Sequence, residues 1–271
     1  MSRRLLISNC RLYDAPNGEP LSKVLVEDGM IAQVGALPDG TGCDVQIDAG
    51  GRTIAPGFID VHIQGAGGAD VLDSTPGALE AISKTCARFG VTGFLATTVF
   101  RPGRDNGHLR LAADHVGEDL GGARLLGIHI EGPFISSHKR GMIQPECLCE
   151  PSSEVLGEIM ELTGGQLRMM TIAPELPSGL DMVGRLVDAG VIASLGHTSA
   201  TYEQTLEGFE AGITDFTHLF NAKPGIHHRA PGPLTAVFES ESVTAQVISD
   251  GVHIRPAVVR LAYRLLGPGR G

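Results

Sequence analysis

The chain has 271 residues and a formal net charge of −10, an acidic balance that argues against nonspecific binding to nucleic acid or to an anionic membrane. No run approaches the ~18 apolar residues of a membrane span, and the apolar run after Arg3-Arg4 is too short for a signal peptide. The five cysteines (10, 43, 86, 147 and 149) lack zinc-finger spacing, which fits a reducing cytosol best.

Residues 1–54 form one pattern. Leu5–Tyr13 and 23–34 read as short strands, broken by Asp14-Ala-Pro-Asn-Gly and by Asp28-Gly29, with the Gly, Asp and Pro chemistry of tight turns. This is a small β-sheet module. From Ala55 the pattern changes to strand, loop and helix in repetition. Strands are expected at 55–62, 91–98, 125–130, 168–173, 192–196, 214–219 and 244–249. Thr75-Pro76 supplies a cap and an N1 proline to a helix ending near Gly90. Helices over 178–189 and 198–211 stop at Gly190 and Gly212, and 256–266 is a last apolar-periodic helix. Alternation of this kind implies parallel strands with right-handed crossovers, an α/β barrel of the TIM type. Seven of eight strand–helix units are counted over residues 55–271. A seven-strand barrel has open edges beside its first and last strands, so low solubility or a covering assembly is expected.

Three apolar runs end in residues of metal-ligand type: LLGIHIE at Glu131, VIASLGH at His197 and ITDFTH at His218. Side chains at the C-terminal ends of barrel strands converge, and two imidazoles with a carboxylate suit a zinc-type ion with an open position. The plainer alternatives are a solvated glutamate and two hydrogen-bonded core histidines. His62 and Gln64, two apart at the end of the first barrel strand, face the same side. His62 reads as a ligand, a substrate contact or a core histidine, and Gln64 is a poor ligand beside imidazole, which favours one ion over two. The loop from Asn221 to Arg229, with Lys223, His227 and His228, is crowded with donors and suits an anion and sugar hydroxyls. Asp250 and His253 close the seventh strand and add another donor.

The segments PGFIDVH (56–62), HIEGPF (129–134), GHT (196–198), THLFNA (217–222), HHRAPG (227–232) and DGVH (250–253) together resemble the N-acetylglucosamine-6-phosphate deacetylase family of the amidohydrolase superfamily. The resemblance runs through nearly the whole chain, with the six pieces in family order. It implies a metal-dependent barrel over 55–271, a small β-sandwich to which 1–54 contributes, a cytoplasmic enzyme of amino-sugar catabolism, and one divalent ion, zinc or iron. It assigns Glu131, His197 and His218 to the metal, and Asn221, the Ala222 backbone and His253 to the sugar phosphate. It also implies a homodimer in which Arg229 reaches the neighbouring active site. Three departures stand out. His62-Ile-Gln64 replaces an HxH found in some relatives, Ile143 stands near where the family usually has a histidine, and the family's catalytic aspartate is expected beyond Gly271. Asp60 and Asp215 are weak substitutes, one beside an assigned strand end and one mid-strand. Two other readings stay open: an amidohydrolase acting on another N-acyl or cyclic amide, and a non-catalytic fragment that binds metal or sugar phosphate.

Overall fold

Two stretches of different hydrophobic period give two units, Met1–Gly57 and Phe58–Gly271, in the computed structural model, which describes residues 3–14, 21–38 and 40–271. In the first unit β1 (Arg4–Leu12) buries Leu6, Ser8 and Cys10 on one face, the period of two that a half-buried strand requires. It pairs antiparallel with β2 (Ser22–Glu27), and β2 pairs with β3 (Met30–Gly35). Asp28 and Gly29 make the β2–β3 turn with φ of 49° and 81°, the left-handed pair that an Asp-Gly hairpin supplies. Strands β4 (Val45–Asp48) and β5 (Thr53–Ile54) both run parallel to β1. The expected break after Asp14 falls largely on residues 15–20, outside the described residues.

The second unit carries a parallel sheet. Its strands are β6 (Phe58–Ile63), β9 (Val91–Thr98), β10 (Arg124–Glu131), β11 (Leu167–Ile172), β12 (Ile192–Leu195), β13 (Asp215–Phe216) and β14 (Thr244–Ala245). They pair in chain order from β6 to β14, interrupted only by a small hairpin of β7 (Gly65–Ala66) and β8 (Ala69–Asp70). Helices α1 (Pro76–Arg88), α2 (Gly107–Asp114), α3 (Ser153–Thr163), α4 (Gly179–Asp188), α5 (Tyr202–Glu210) and α6 (Gly232–Glu239) separate them, and α7 (Pro256–Leu266) follows β14. The arrangement is a partial (β/α) barrel. Phe94, Phe100, Phe134, Phe216, Ile130 and Met170 are fully buried in its core.

Several expected boundaries shift, each for a local reason. The first barrel strand starts at Phe58 rather than 55, because Pro56 has no N–H to give a ladder. The expected strands 214–219 and 244–249 pair over only two residues each. His218, Phe220 and Ala222 take φ of 28°, 77° and 52°, and such left-handed residues turn the chain out of the sheet. Helix α5 starts at Tyr202 rather than near 198, since Thr201 and Gln204 form a capping box. The preceding Thr198 hydroxyl and Ser199 N–H instead donate to the carboxylate of Glu175, at 2.5 Å each. Helices α2, α3 and α6 occupy segments that the sequence pattern leaves unassigned.

Gly196 joins β12 to the loop bearing His197, and a Cβ there would meet Thr171 Cγ2 at 2.6 Å and Thr217 Cβ at 2.8 Å. Gly196→Ala is therefore expected to lower stability by about 1–3 kcal/mol through overpacking. Gly184, inside α4, has open space where a Cβ would stand, with nothing within 4 Å. The sign there is opposite: Gly184→Ala is expected to add about 0.5–1 kcal/mol. Urea unfolding of the two variants checks both signs.

Candidate metal centre

The loop-facing end of the parallel sheet brings three groups together. Glu131 is the last residue of β10, while His197 and His218 each follow their strands by two residues. All three are buried, and their ligand atoms lie within 4.8 Å of one another. Nε2 of His197 and of His218 stand 2.9 and 3.0 Å from the same oxygen, Glu131 Oε1, and 2.9 Å from each other. Gln64 donates from Nε2 to the other oxygen, Oε2, at 2.6 Å, which leaves Oε1 to the imidazoles. His62 flanks the group, its Nε2 3.4 Å from Oε1. Burial alone would raise the Glu131 pKa, but the close imidazoles of His197, His218 and His62 hold it well below the usual carboxylate range.

The lone-pair arrangement suits a cation. His197 Nδ1 lies 2.7 Å from the carbonyl oxygen of Lys139, a pure acceptor, so Nδ1 carries the proton. With a proton on Nε2 as well the ring donates to Glu131 Oε1; without it Nε2 faces that oxygen lone pair to lone pair, an arrangement that a shared cation bridges. A carboxylate and two imidazoles are also the donor set that divalent zinc and iron favour. His197, at φ 47°, and His218 are both mounted on left-handed backbone, which costs on the order of 1–3 kcal/mol per residue.

Beneath the cluster runs a row of polar residues. Glu131 pairs with Thr171, Thr171 with Ser194, Ser194 with Asp215 and Asp215 with Thr244 across successive strands. Their side chains bond laterally. Ser194 and Thr244 donate to Asp215 at 2.6 and 2.9 Å, and Thr171 and Ser194 each share a hydrogen bond with Thr217. Gln246 closes the row: Nε2 donates to Asp215 at 2.6 Å and Oε1 accepts from His62 Nδ1 at 3.2 Å. Burial raises the Asp215 pKa against those three donors. At the other end His129 bonds the Val61 carbonyl and the Thr171 hydroxyl. Burial, with His62 nearby, pushes its pKa down to about 3 and keeps it neutral.

The remaining residues singled out by sequence are not among the three grouped ligands. His228 and Arg229 are exposed, on a turn closed by a bridge between His227 and Ala230. His253 and Asp250 bond each other at 2.7 Å on the surface. Asn221 follows His218 in the same loop, and its buried Nδ2 has no partner among the described residues. Ala222 accepts through its carbonyl from the N–H of Thr198. Ile143 is buried beside Ile135 and Cys147.

No family model matches the chain. It is 34% identical over 265 residues to the N-acetylglucosamine-6-phosphate deacetylase of Lysinibacillus sphaericus, covering 97% of this chain and 68% of that one. The chain belongs to the N-acetylglucosamine-6-phosphate deacetylase family. An N-acetylgalactosamine-6-phosphate deacetylase of Escherichia coli O157:H7 is 31% identical over 96% of this chain and 66% of its own. Among solved structures, a mutant Mycobacterium smegmatis deacetylase in complex with N-acetyl-D-glucosamine-6-phosphate superposes with a TM-score of 0.84 at 32% identity. That match covers 99% of this chain and 69% of the other. Membership of this amidohydrolase family implies a divalent metal, and the Glu131, His197 and His218 set is a site able to hold one.

Two parts of this deacetylase-family site are not visible in the sequence pattern. Lys223 reads as one donor of an anion-binding loop, yet its side chain is buried and donates to the Thr217 carbonyl at 2.5 Å. Burial draws its pKa down to about 7, against the opposing pull of Glu131 and Asp215. Gln246 falls in an expected strand with no role of its own. The signal for the polar row is Thr or Ser recurring at the ends of otherwise apolar strands. Replacing Gln246 by Leu leaves the Asp215 oxygen short of a donor and His62 Nδ1 unpaired. A loss of about 2–4 kcal/mol is expected in urea unfolding.

Proposed function

We propose that the chain hydrolyses the acetamide of N-acetylglucosamine 6-phosphate to glucosamine 6-phosphate and acetate, using one divalent ion, zinc or iron. The convergence of Glu131, His197 and His218 at the strand ends of a barrel in this family carries the reading. In the reaction water adds to the acetamide carbonyl carbon, the C–N bond breaks, and the nitrogen leaves as an amine after taking a proton. A divalent ion held by Glu131, His197 and His218 supplies Lewis acidity at neutral pH.

The chain's own residues hold and orient. Gln64 fixes Glu131 through Oε2, and the Lys139 carbonyl sets the His197 tautomer. His62 donates from Nδ1 to Gln246 and turns Nε2 toward Glu131 Oε1, as His197 does, and is assigned as a further ligand candidate on the flank of the three. Asn221, with the Ala222 backbone, is assigned to the phosphate, supported by the buried Nδ2, which has no partner among the described residues. Asp250 and His253 are assigned to the substrate side as a charged pair. Arg229, exposed on its turn, is read as reaching the active site of a second copy, and His228 beside it as a substrate contact; the Arg229 guanidinium has no partner among the described residues. Neither Asp60 nor Asp215 is assigned the proton transfer. The Asp215 carboxylate already accepts from Ser194, Thr244 and Gln246, and Asp60 accepts from the His62 N–H. We also read the protein as cytoplasmic, supported by its five unpaired cysteines. No helix of the described residues is long and apolar enough to cross a membrane.

The similarity to an N-acetylgalactosamine-6-phosphate deacetylase favours a second reading in which the sugar is the galacto epimer. Acetate release from the two epimers, compared as kcat/KM, separates them. Hydrolysis of neither, with turnover of a cyclic amide or an N-acyl amino acid, would sink both. Glu131→Gln is expected to reduce bound zinc or iron below about a tenth of an equivalent by elemental analysis, since it removes the one anionic ligand. Arg229→Ala is expected to raise KM for the phosphorylated sugar about tenfold or more while leaving that for N-acetylglucosamine nearly unchanged. Equal effects on both substrates count against a phosphate role.

A further inference from the structure

Lys223 stands where a divalent ion in the cluster would feel it. Its ammonium donates to the carbonyl oxygens of Thr217 at 2.5 Å and Asn221 at 3.1 Å, and lies 3.5 Å from that of His218. The face of Phe216 is 4.8 Å away. Three carbonyl acceptors and an aromatic face around one nitrogen stabilise its ammonium form against the burial that draws the pKa down. The same nitrogen is 3.4 Å from His218 Nδ1, while Nε2 of that ring is 3.0 Å from Glu131 Oε1. The imidazole of His218 is thus held between a cation and a carboxylate. His197 is held differently, its Nδ1 facing the Lys139 carbonyl. One ring is oriented to offer its Nε2 lone pair; the other has an N–H donor at Nδ1, which favours the proton on Nε2.

We propose that Lys223 is an internal counter-cation of the Glu131 cluster, a positioning residue that stabilises the metal-free pocket and weakens the hold of the cluster on a divalent ion. The inference rests on reading Glu131, His197 and His218 as the metal site. Two effects act in the same direction. Repulsion between an ammonium and a dication decays only as the inverse of distance, and burial limits its screening. The N–H donor aimed at His218 Nδ1 also opposes the tautomer that ligation through Nε2 requires. Lys223 further ties together the carbonyls of a loop with three left-handed residues, so removing its charge has to be separated from removing its hydrogen bonds.

The test is a chelator-competition titration of Zn²⁺ against the full chain, Lys223→Gln and Lys223→Met, with Glu131→Gln defining binding at the cluster. Gln retains N–H donors for the loop carbonyls without the charge, whereas Met retains only the stem. Both are expected to bind Zn²⁺ about tenfold tighter or more. Their metal-free forms are expected to melt lower than the unsubstituted chain, and zinc is expected to raise their melting temperatures by a larger increment. Should Lys223→Met fail to fold, Lys223→Gln decides. Unchanged or weaker zinc affinity in folded Lys223→Gln overturns the counter-cation role. Zinc binding by the unsubstituted chain that Glu131→Gln does not alter overturns the metal-site reading itself, and the inference with it.

Discussion

One carboxylate oxygen sets the terms for the loop-facing half of the barrel. Glu131 Oε1 is buried at the end of β10, and two imidazole nitrogens reach it from different strands. An ionised carboxylate in such a place is costly unless fully compensated. Its neighbours follow from that requirement. Gln64 takes the second oxygen, His62 closes one flank, and Lys223 supplies positive charge from behind His218. None of these residues is near Glu131 in sequence, so the carboxylate can be satisfied only when β6, β10, β12 and β13 are assembled.

The polar row extends the same constraint downward. Thr171, Ser194, Asp215 and Thr244 occupy matching positions on adjacent strands because parallel pairing puts them in register. The opposite face of the same sheet is apolar, with Phe94, Ile128 and Met170 fully buried. The strands therefore have two buried faces. The apolar one supplies most of the hydrophobic stabilisation, and the polar one fixes side-chain directions at the site. Gln246, just after the strand that ends the sheet path, bonds through its side chain to His62 on the strand that begins it. Side chains thus join strands that share no main-chain ladder.

How much of this is legible in the chain follows from the range of each interaction. The strands at 91–98 and the helix at 256–266 read directly, because their hydrophobic period is local. The three cluster residues read from position alone, each ending an apolar run. What does not read depends on contacts between distant residues. Lys223 resembles any loop lysine until the backbone of 217–222 coils around its nitrogen. Asp215 looks like a mid-strand intrusion until Ser194, Thr244 and Gln246 surround it. The expected strand at 214–219 fails for a related reason, since left-handed φ at His218 and Phe220 has no signature in residues other than Gly or Asn. The likeness of HHRAPG and DGVH to phosphate-site segments fixes their sequence position but not their surroundings, which are exposed here.

The four left-handed residues at 197, 218, 220 and 222 divide into two kinds. At His197 and His218 the imidazole and the unfavourable backbone belong to the same residue, so glycine would relax the turn only by deleting a ligand. Phe220 packs against Phe238 and Ala222 has only a methyl group, and neither offers a side-chain ligand. A programme to make this protein more heat-resistant therefore has its openings at 222 and, with repacking, at 220. The remaining conformational tension cannot be engineered out without losing the chemistry it supports.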